Sequence, residues 1–561
     1  MAVELGPRGP GPRPGRRRRL FGRPLSAASL ALALAFSAGL VATALVATGL
    51  VGAGLGWKVS FPKDILRLWT PKVQGIDPAA PVDPGREYHL TVWDYRLPFV
   101  SAGGAPFAEA TEEAIERFRR RHPNVTVDLV LIDLAEGPAK LAEALAAGYP
   151  PDVYCSPFGL PFTGSDLQVP VGLYLDYQTW SRYDPLAWQA VKLGRTVWAW
   201  PRFMLIWPWL GNADLMKAAG IDVERVSREG WTREEFSAMA ARLGASVGSG
   251  RTVGSGGTTG TAALVTSCPA AVLRDLLLPG RLAAAQAAPV QGEAGAEATD
   301  PGGGDAADLS AGAEAVVEWL TELRAGGALA PGASLTDPGA LDSFIKGRSA
   351  VLAGLSPWTA DFLFGLQPRP RPWQYSLPPR PEPPRLVLLP PPHGPDEPSA
   401  VWLSAATVAV FRQARYRGDD NTRLAAELGA ELTLGLRPWL WNEPLCVPSS
   451  LCEQASWEVR APKLGEAGVY ALRALEELRA LPTGAVGSAL QALTYGPGAG
   501  SYVGGKGPSA MASAGYLGPY LAGPVAEEAA RFWDGEGSAD TLLRLLTGGP
   551  ETPGGTGDAG P

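Results

Sequence analysis

LTVWDY (Leu90–Tyr95), EATEEAIERFRRR (Glu109–Arg121), VTVDLVLI (Val125–Ile132), KLAEALAAG (Lys140–Gly148) and PPDVYCSP (Pro150–Pro157) follow one another along the chain. In the first, apolar and polar residues nearly alternate, as in a short strand. In the second, Ala114, Ile115 and Phe118 fall on one face, the spacing of an amphipathic helix, and Pro123 stops it one residue after His122. The third is a β-branched, alternating strand. The fourth is a helix closed by Gly148, and the fifth ends on a short strand. Strand–helix–strand–helix–strand predicts a parallel sheet with right-handed crossovers. Ligands on such sheets sit at the carboxyl ends of the strands.

Before this core comes an address. Residues 24–57 contain no Asp, Glu, Lys, Arg or His. A bilayer core needs about 20 apolar residues as helix, and a signal-peptide core about 7–15. Arg8, Arg13, Arg16 to Arg19 and Arg23 precede the stretch against the single acid Glu4, which keeps its amino end in the cytoplasm. WKVSFPKDILRLW (Trp57–Trp69) then mixes aromatics with lysines as interfacial anchors do. The expectation is a basic cytoplasmic segment (1–24), a transmembrane signal anchor (25–57), a juxtamembrane linker (58–86) and an extracytoplasmic body. The alternative is secretion after cleavage at the small-residue sites around Ala38 and Ala44. Arg18-Arg19-Leu20-Phe21 is also compatible with twin-arginine export.

A chain of 561 residues is too long for one core and implies two or three structural units. A formal charge of −7, with no basic patch beyond the N-terminal tail, argues against nucleic acid. Gly244–Gly260 is rich in Gly, Ser and Thr, and Ala283–Gly312 in Ala and Gly with acids, so both read as loops or mobile insertions, grouped as 244–312. Leu366–Pro398 carries thirteen prolines and is expected to be extended and to resist regular structure. The tail 547–561 reads as disordered.

Cys155, Cys268, Cys446 and Cys452 fit no zinc spacing, and no other metal site is read. Cys446 and Cys452 are close enough to bridge a small loop, which an extracytoplasmic body permits. The other reading makes all four buried thiols. Histidines are three and scattered (His89, His122, His393), and no HExxH, P-loop or GxGxxG motif occurs. Gly244-Ala-Ser-Val-Gly248 matches the hydrolase elbow, but that chemistry needs a strand before Ser246 and a helix after it. Here a helical pattern precedes, so Ser246 is read as a loop serine. No catalytic residue and no cofactor is expected.

Eighteen tryptophans are the positive chemical signal. Trp198, Trp200, Trp207 and Trp209 cluster, as do Trp358 and Trp373, and Trp402, Trp439 and Trp441. An indole offers a flat polarisable face and one N–H, which suits the apolar CH face and hydroxyl rim of a sugar ring. The plainer reading is that most of them fill cores and interfaces.

In its wording the chain resembles the extracellular solute-binding proteins of the sugar-binding, maltodextrin-binding-like family that serves ABC importers. The opening strand, the FxxxHPNVxV helix end at Phe118–Val127 and LAEALAAGYPPDV (Leu141–Val153) carry this resemblance. So do TVWAWPRFMLIWPWLGNADLMKAAGID (Thr196–Asp222), GWTREEFSAMAARL (Gly230–Leu243), FIKGRSAVLAGLSPW (Phe344–Trp358) and DGEGSADTLLRLL (Asp534–Leu546). It spans roughly residues 87–546. It implies an α/β fold of two lobes, the type II periplasmic-binding-protein-like architecture with interlobe crossings, behind one transmembrane helix. Lobe 1 is expected mainly over 87–200 with a returning segment within 385–440. Lobe 2 is expected mainly over 201–365 plus 440–546, with Pro-rich 366–398 an elaborated crossing.

The resemblance further implies a monomer that binds a sugar or oligosaccharide by lobe closure and delivers it to ABC transporter permease subunits. Asp94 and Tyr95 correspond to positions that often hydrogen-bond ligand, although Asp94 also reads as a turn cap. Ser156, Arg202 and Phe203 lie where the family varies with ligand. Trp358 matches a position where tryptophan often stacks on sugar. Trp441 and Asn442 lie near a lobe-spanning contact, and Tyr516 and Tyr520 precede the closing helices where an aromatic is common. The crossover departs from the family pattern, with Leu210-Gly211 in place of a hinge tyrosine. No cysteine follows the apolar run, so the usual lipid anchor is missing and the membrane helix takes its place. Alternatives are a membrane-tethered ligand-sensing module for a receptor or kinase, and an extracytoplasmic carbohydrate-acting hydrolase. Peptide-like or polyol ligands stay open.

Overall fold

In the computed structural model, which describes residues 75–97, 107–133, 136–157, 159–160, 165–193, 196–247, 261–266, 268–287, 306–330, 339–357, 360, 384–440, 443–481 and 524–547, the opening segments fold in the expected order. Strand β1 (Tyr88–Tyr95) pairs in parallel with β2 (Val125–Ile132) and with β3 (Val153–Ser156). The helices Ala108–Arg121 and Gly137–Ala147 make the two crossings. The first buries Thr111, Ala114, Ile115 and Phe118, and the second ends on Gly148 at φ 76°. On β2 burial nearly alternates, as at a sheet edge with one face covered.

The remaining strands are β4 (Gln168–Val169), the paired β5 (Lys192–Leu193) and β6 (Thr196–Val197), β7 (Ala199–Trp207), β8 (Trp209–Asn212), β9 (Ala262–Thr266), β10 (Ser349–Ala353), β11 (Leu386–Leu389), β12 (Trp402–Phe411) and β13 (Cys446–Pro448). The first sheet runs β13-β7-β12-β3-β1-β2 with β4 on β12, and the second runs β11-β8-β10-β9. Every residue of β7 and of β12 is buried, the pattern of strands covered on both faces.

The sheets divide the chain differently from the expected lobes. The change of sheet falls between Trp207 and Trp209, not at 201, because all of β7 pairs within the first sheet. Within 385–440 it is β12 that joins the first sheet, while β11 pairs with β8 of the second; β13, which lies in 440–546, pairs with β7. The Pro-rich stretch, expected to resist regular structure, supplies β11 from its Leu-Val-Leu-Leu run between prolines. The glycine-rich insertion likewise begins inside a helix, Arg233–Val247, so no strand leads into Ser246. The Ala/Gly-rich segment is entered and left through the helices Pro269–Ala287 and Ala306–Ala325.

Cys446 and Cys452 are free thiols here, with Cys446 buried on β13 and Cys452 exposed in the first turn of the helix Leu451–Arg460. The bridge between them is therefore not formed. Among the described residues no helix is long and apolar enough to cross a membrane. The anchor expected at 25–57, the linker up to residue 74 and the tail from 548 lie outside those residues.

Helix Ala108–Arg121 is pinned to helix Asp419–Glu431 by Arg117, whose Nε donates to Glu431 at 2.7 Å. At its end the His122 ring lies 4.5 Å from Phe118, and its Nε2 is 3.4 Å from Glu427. Burial holds the imidazole below its usual 6.5, and Arg121 and Arg423 push the same way against the pull of Glu427. The unfolded chain takes up this proton at the ordinary value and the folded state only at lower pH. Stability is thus lost as pH falls from 6.5 through the folded value. We expect His122→Gln to show a smaller drop in urea midpoint than the parent between about pH 7.5 and about pH 5. An equal drop in both proteins would show that His122 is not the group responsible. Phe118→Ala, at a fully buried position, should lose about 3–5 kcal/mol in the same assay.

Candidate functional site

Pro201 sits in the interior of β7, where a proline cannot donate to the ladder. The β7–β12 register shifts there: Phe203 faces Ala406 and Pro201 faces Thr407, leaving Arg202 as the extra residue of a bulge. Bulges re-aim a side chain, and this one sends a guanidinium inward. Arg202 Nη1 donates to Asp94 at 3.0 Å, Nη2 donates to Thr111 Oγ1 at 2.8 Å, and Nε donates to the Leu432 carbonyl at 3.3 Å. The Thr111 hydroxyl in turn donates to Asp94. The Arg202 carbon lies 4.9 Å from the Phe107 ring centre, and Phe107 meets Phe203 edge-on at 5.7 Å.

Asp94 and Arg202 are 1% and 2% exposed, so the charges neutralise each other without solvent. Burial alone would depress the guanidinium, but the Asp94 carboxylate outweighs it and holds Arg202 above its usual value. Burial pushes the neighbouring Cys155 thiol far up, and Asp94 adds to the effect. An ionised carboxylate offers about four acceptor positions. On Asp94 the protein occupies three of them with Arg202, the Thr111 hydroxyl and the Tyr95 N–H at 2.8 Å. A ligand hydroxyl reaching Asp94 would have to take the remaining position or displace one of these donors.

Tyr95 bonds the Tyr154 hydroxyl, their rings 5.9 Å apart, and burial raises the Tyr95 phenol well above its ordinary value. The helix Gly137–Ala147 begins directly on the Tyr95 hydroxyl: a Cβ on Gly137 would lie 2.0 Å from it, so only glycine fits. Ser156 ends β3 opposite Thr407 and is buried, as is Phe203.

Five expected site residues, Asp94, Tyr95, Ser156, Arg202 and Phe203, are thus all interior, and the first and fourth form one ion pair. Trp358, Trp441, Asn442, Tyr516 and Tyr520 lie outside the described residues. Four residues before Trp358, Gly354 has φ 71°. Tryptophans Trp198, Trp200, Trp207, Trp209, Trp402 and Trp439 are buried packing residues, not open platforms. Thr111 and Tyr154 were not anticipated. Thr111 could have been, since a hydroxyl on the Ala114-Ile115-Phe118 face must find a buried partner. Among the described residues no group of three or more His, Cys, Asp or Glu side chains is placed to hold a metal.

The chain belongs to the bacterial extracellular solute-binding protein family, which matches residues 104–385. No curated protein sequence matches it. Similar solved structures include the GacH receptor of Streptomyces glaucescens, determined unliganded and with acarbose, at 17% identity over 82% of this chain and 97% of that one (TM-score 0.46). An ABC substrate-binding protein of Listeria monocytogenes in complex with cycloalternan is 13% identical over 82% and 97% (TM-score 0.47). Maltose-bound MalE3 of T. maritima is 13% identical over 82% and 98% (TM-score 0.48).

Removing one member of a buried pair leaves an uncompensated charge. Arg202→Met and Asp94→Ala should each lose about 3–5 kcal/mol in urea unfolding. The double variant Asp94→Ala/Arg202→Met should lose clearly less than the sum of the two. Additive losses would mean that the two groups act independently.

Proposed function

We propose that this protein is an extracytoplasmic receptor that binds a carbohydrate by closure of its two sheet-based lobes and delivers it to the permease of an ABC importer. Family membership across residues 104–385 carries the reading. The architecture supports it: two separate sheets are joined where β7 passes to β8 and where β11 returns to β12. Ligand bound between such units shifts the population toward the closed form. The segment 25–57 holds the body at the outer membrane face, and the protein acts as a monomer.

Carbohydrate is the ligand class that suits Trp358, which follows the Gly354 turn at the end of β10. An indole there stacks on the CH face of a ring, and nearby polar groups read its hydroxyls. Asp94, Tyr95, Ser156, Arg202 and Phe203 hold the floor beneath, while Trp441, Asn442, Tyr516 and Tyr520 complete the ligand contacts.

Thermal melting of the full-length protein against mono- and oligosaccharides, polyols and small peptides tests this. A ligand at a hundredfold excess over its Kd stabilises the native state by about 2.7 kcal/mol. We expect a shift of several degrees with one carbohydrate class, with the compound recovered unchanged. Trp358→Ala should weaken that binding by about 1–3 kcal/mol. A shift only with peptides would overturn the carbohydrate assignment, and recovery of cleaved sugar would replace receptor by hydrolase.

A further inference from the structure

Where the chain passes from the first sheet to the second, at Trp207-Pro208-Trp209, three indoles close on one dipeptide of the helix Pro269–Ala287. Trp207 ends β7 and Trp402 begins β12, and the two are register partners, so both crossings of the first sheet finish side by side. The Arg274 guanidinium lies 4.5 Å from the Trp402 ring centre and 5.3 Å from that of Trp207. Its Nε donates to Asp275 at 2.8 Å. The other oxygen of Asp275 accepts the Trp209 indole N–H at 2.9 Å, and Trp209 begins β8 of the second sheet. Trp207 spends its own N–H on Ser404 of β12 at 2.8 Å. Arg274, Asp275 and all three tryptophans are at most 1% exposed.

The helix that carries the dipeptide packs on the helices Ala306–Ala325 and Pro524–Asp534, on the side of the second sheet. Its Arg274 therefore reaches into the last residues of the first sheet while Asp275 holds the first residue of the second. A cation over indole faces is attracted without a directional bond and tolerates sliding in the ring plane. The indole–carboxylate bond is directional and does not.

We propose that Arg274 and Asp275 are positioning residues of the crossing: one adjacent pair fastens the helix Pro269–Ala287 to both sides of Pro208 and sets the angle between the two sheets. Pro208 is then not a free swivel. A change of angle proceeds by the Arg274 guanidinium slipping across Trp207 and Trp402, with Trp209 and Asp275 moving together as part of the second unit.

Distance distributions between two spin labels test this on the full chain. One label goes on native Cys452, exposed on the helix that follows β13, and the other on Glu318→Cys, exposed on the helix Ala306–Ala325. Cys155, Cys268 and Cys446 are buried and stay unlabelled. The measurement is made without ligand, so it stands whether or not a sugar is the substrate. Arg274→Met/Asp275→Asn removes both charges together, the change that buried ion pairs tolerate best. We expect the distribution to broaden and its centre to move, with cooperative melting retained. Trp209→Phe, which removes the indole N–H bonded to Asp275 together with part of the ring, should move the centre in the same direction by less, and it provides the test if the double variant fails to fold. A distribution unchanged in centre and width in a folded variant would overturn the proposal.

Discussion

One proline that cannot donate constrains much of the first sheet. Pro201 lies within a strand buried along its whole length, between β13 and β12, where a lost ladder bond has no water to replace it. The ladder answers with a bulge, and the bulge turns the Arg202 guanidinium into the interior. A buried cation must be paired, so Asp94 at the end of β1, Thr111 on the first helix and the Leu432 carbonyl converge on it. Four separate parts of the chain are thereby held at the carboxyl ends of β1 and β3. That is the place where sheets of this kind receive ligands.

Pro208 acts in the same way at the sheet's border. It follows the last paired residue of β7, cannot extend the ladder, and lets the chain leave for the second sheet one residue later. The space around this exit is filled by indoles, whose size suits a junction between layers and whose single N–H needs only one acceptor. Trp207 finds Ser404, Trp209 finds Asp275, and Trp231 finds the Pro390 carbonyl at 2.9 Å near the returning strand. The richness in tryptophan, which composition alone associates with sugar stacking, is explained for these residues by the junction.

Local order was therefore legible and long-range pairing was not. The β1-to-β3 run could be read because alternation and helical spacing are properties of short windows. Arg202 and Asp94 could each be singled out, but their union depends on a register shift against a strand two hundred residues later. Its one visible trace was a proline amid apolar residues. Strand β11 was hidden because the prolines around it dominated the composition of their window, while the Leu386–Leu389 run itself met the criterion for a buried strand. The division at Trp207–Trp209 was misplaced for a related reason. Periodicity shows where a strand lies and not which sheet it joins, and β7 and β8 are separated by a single residue.

The same pairing bears on how a ligand could be recognised. Asp94 already accepts from a guanidinium, a hydroxyl and a backbone N–H, which takes up most of the capacity of a carboxylate. Its donors come from β7, from the first helix and from β1 itself, so the carboxylate ties three elements together. Discrimination among ligands then falls to side chains with unspent hydrogen-bonding capacity or an open ring face. Asp94, Thr111 and Arg202 are buried and hydrogen-bonded to one another, so a solute reaching this end of β1 would meet groups that are already engaged.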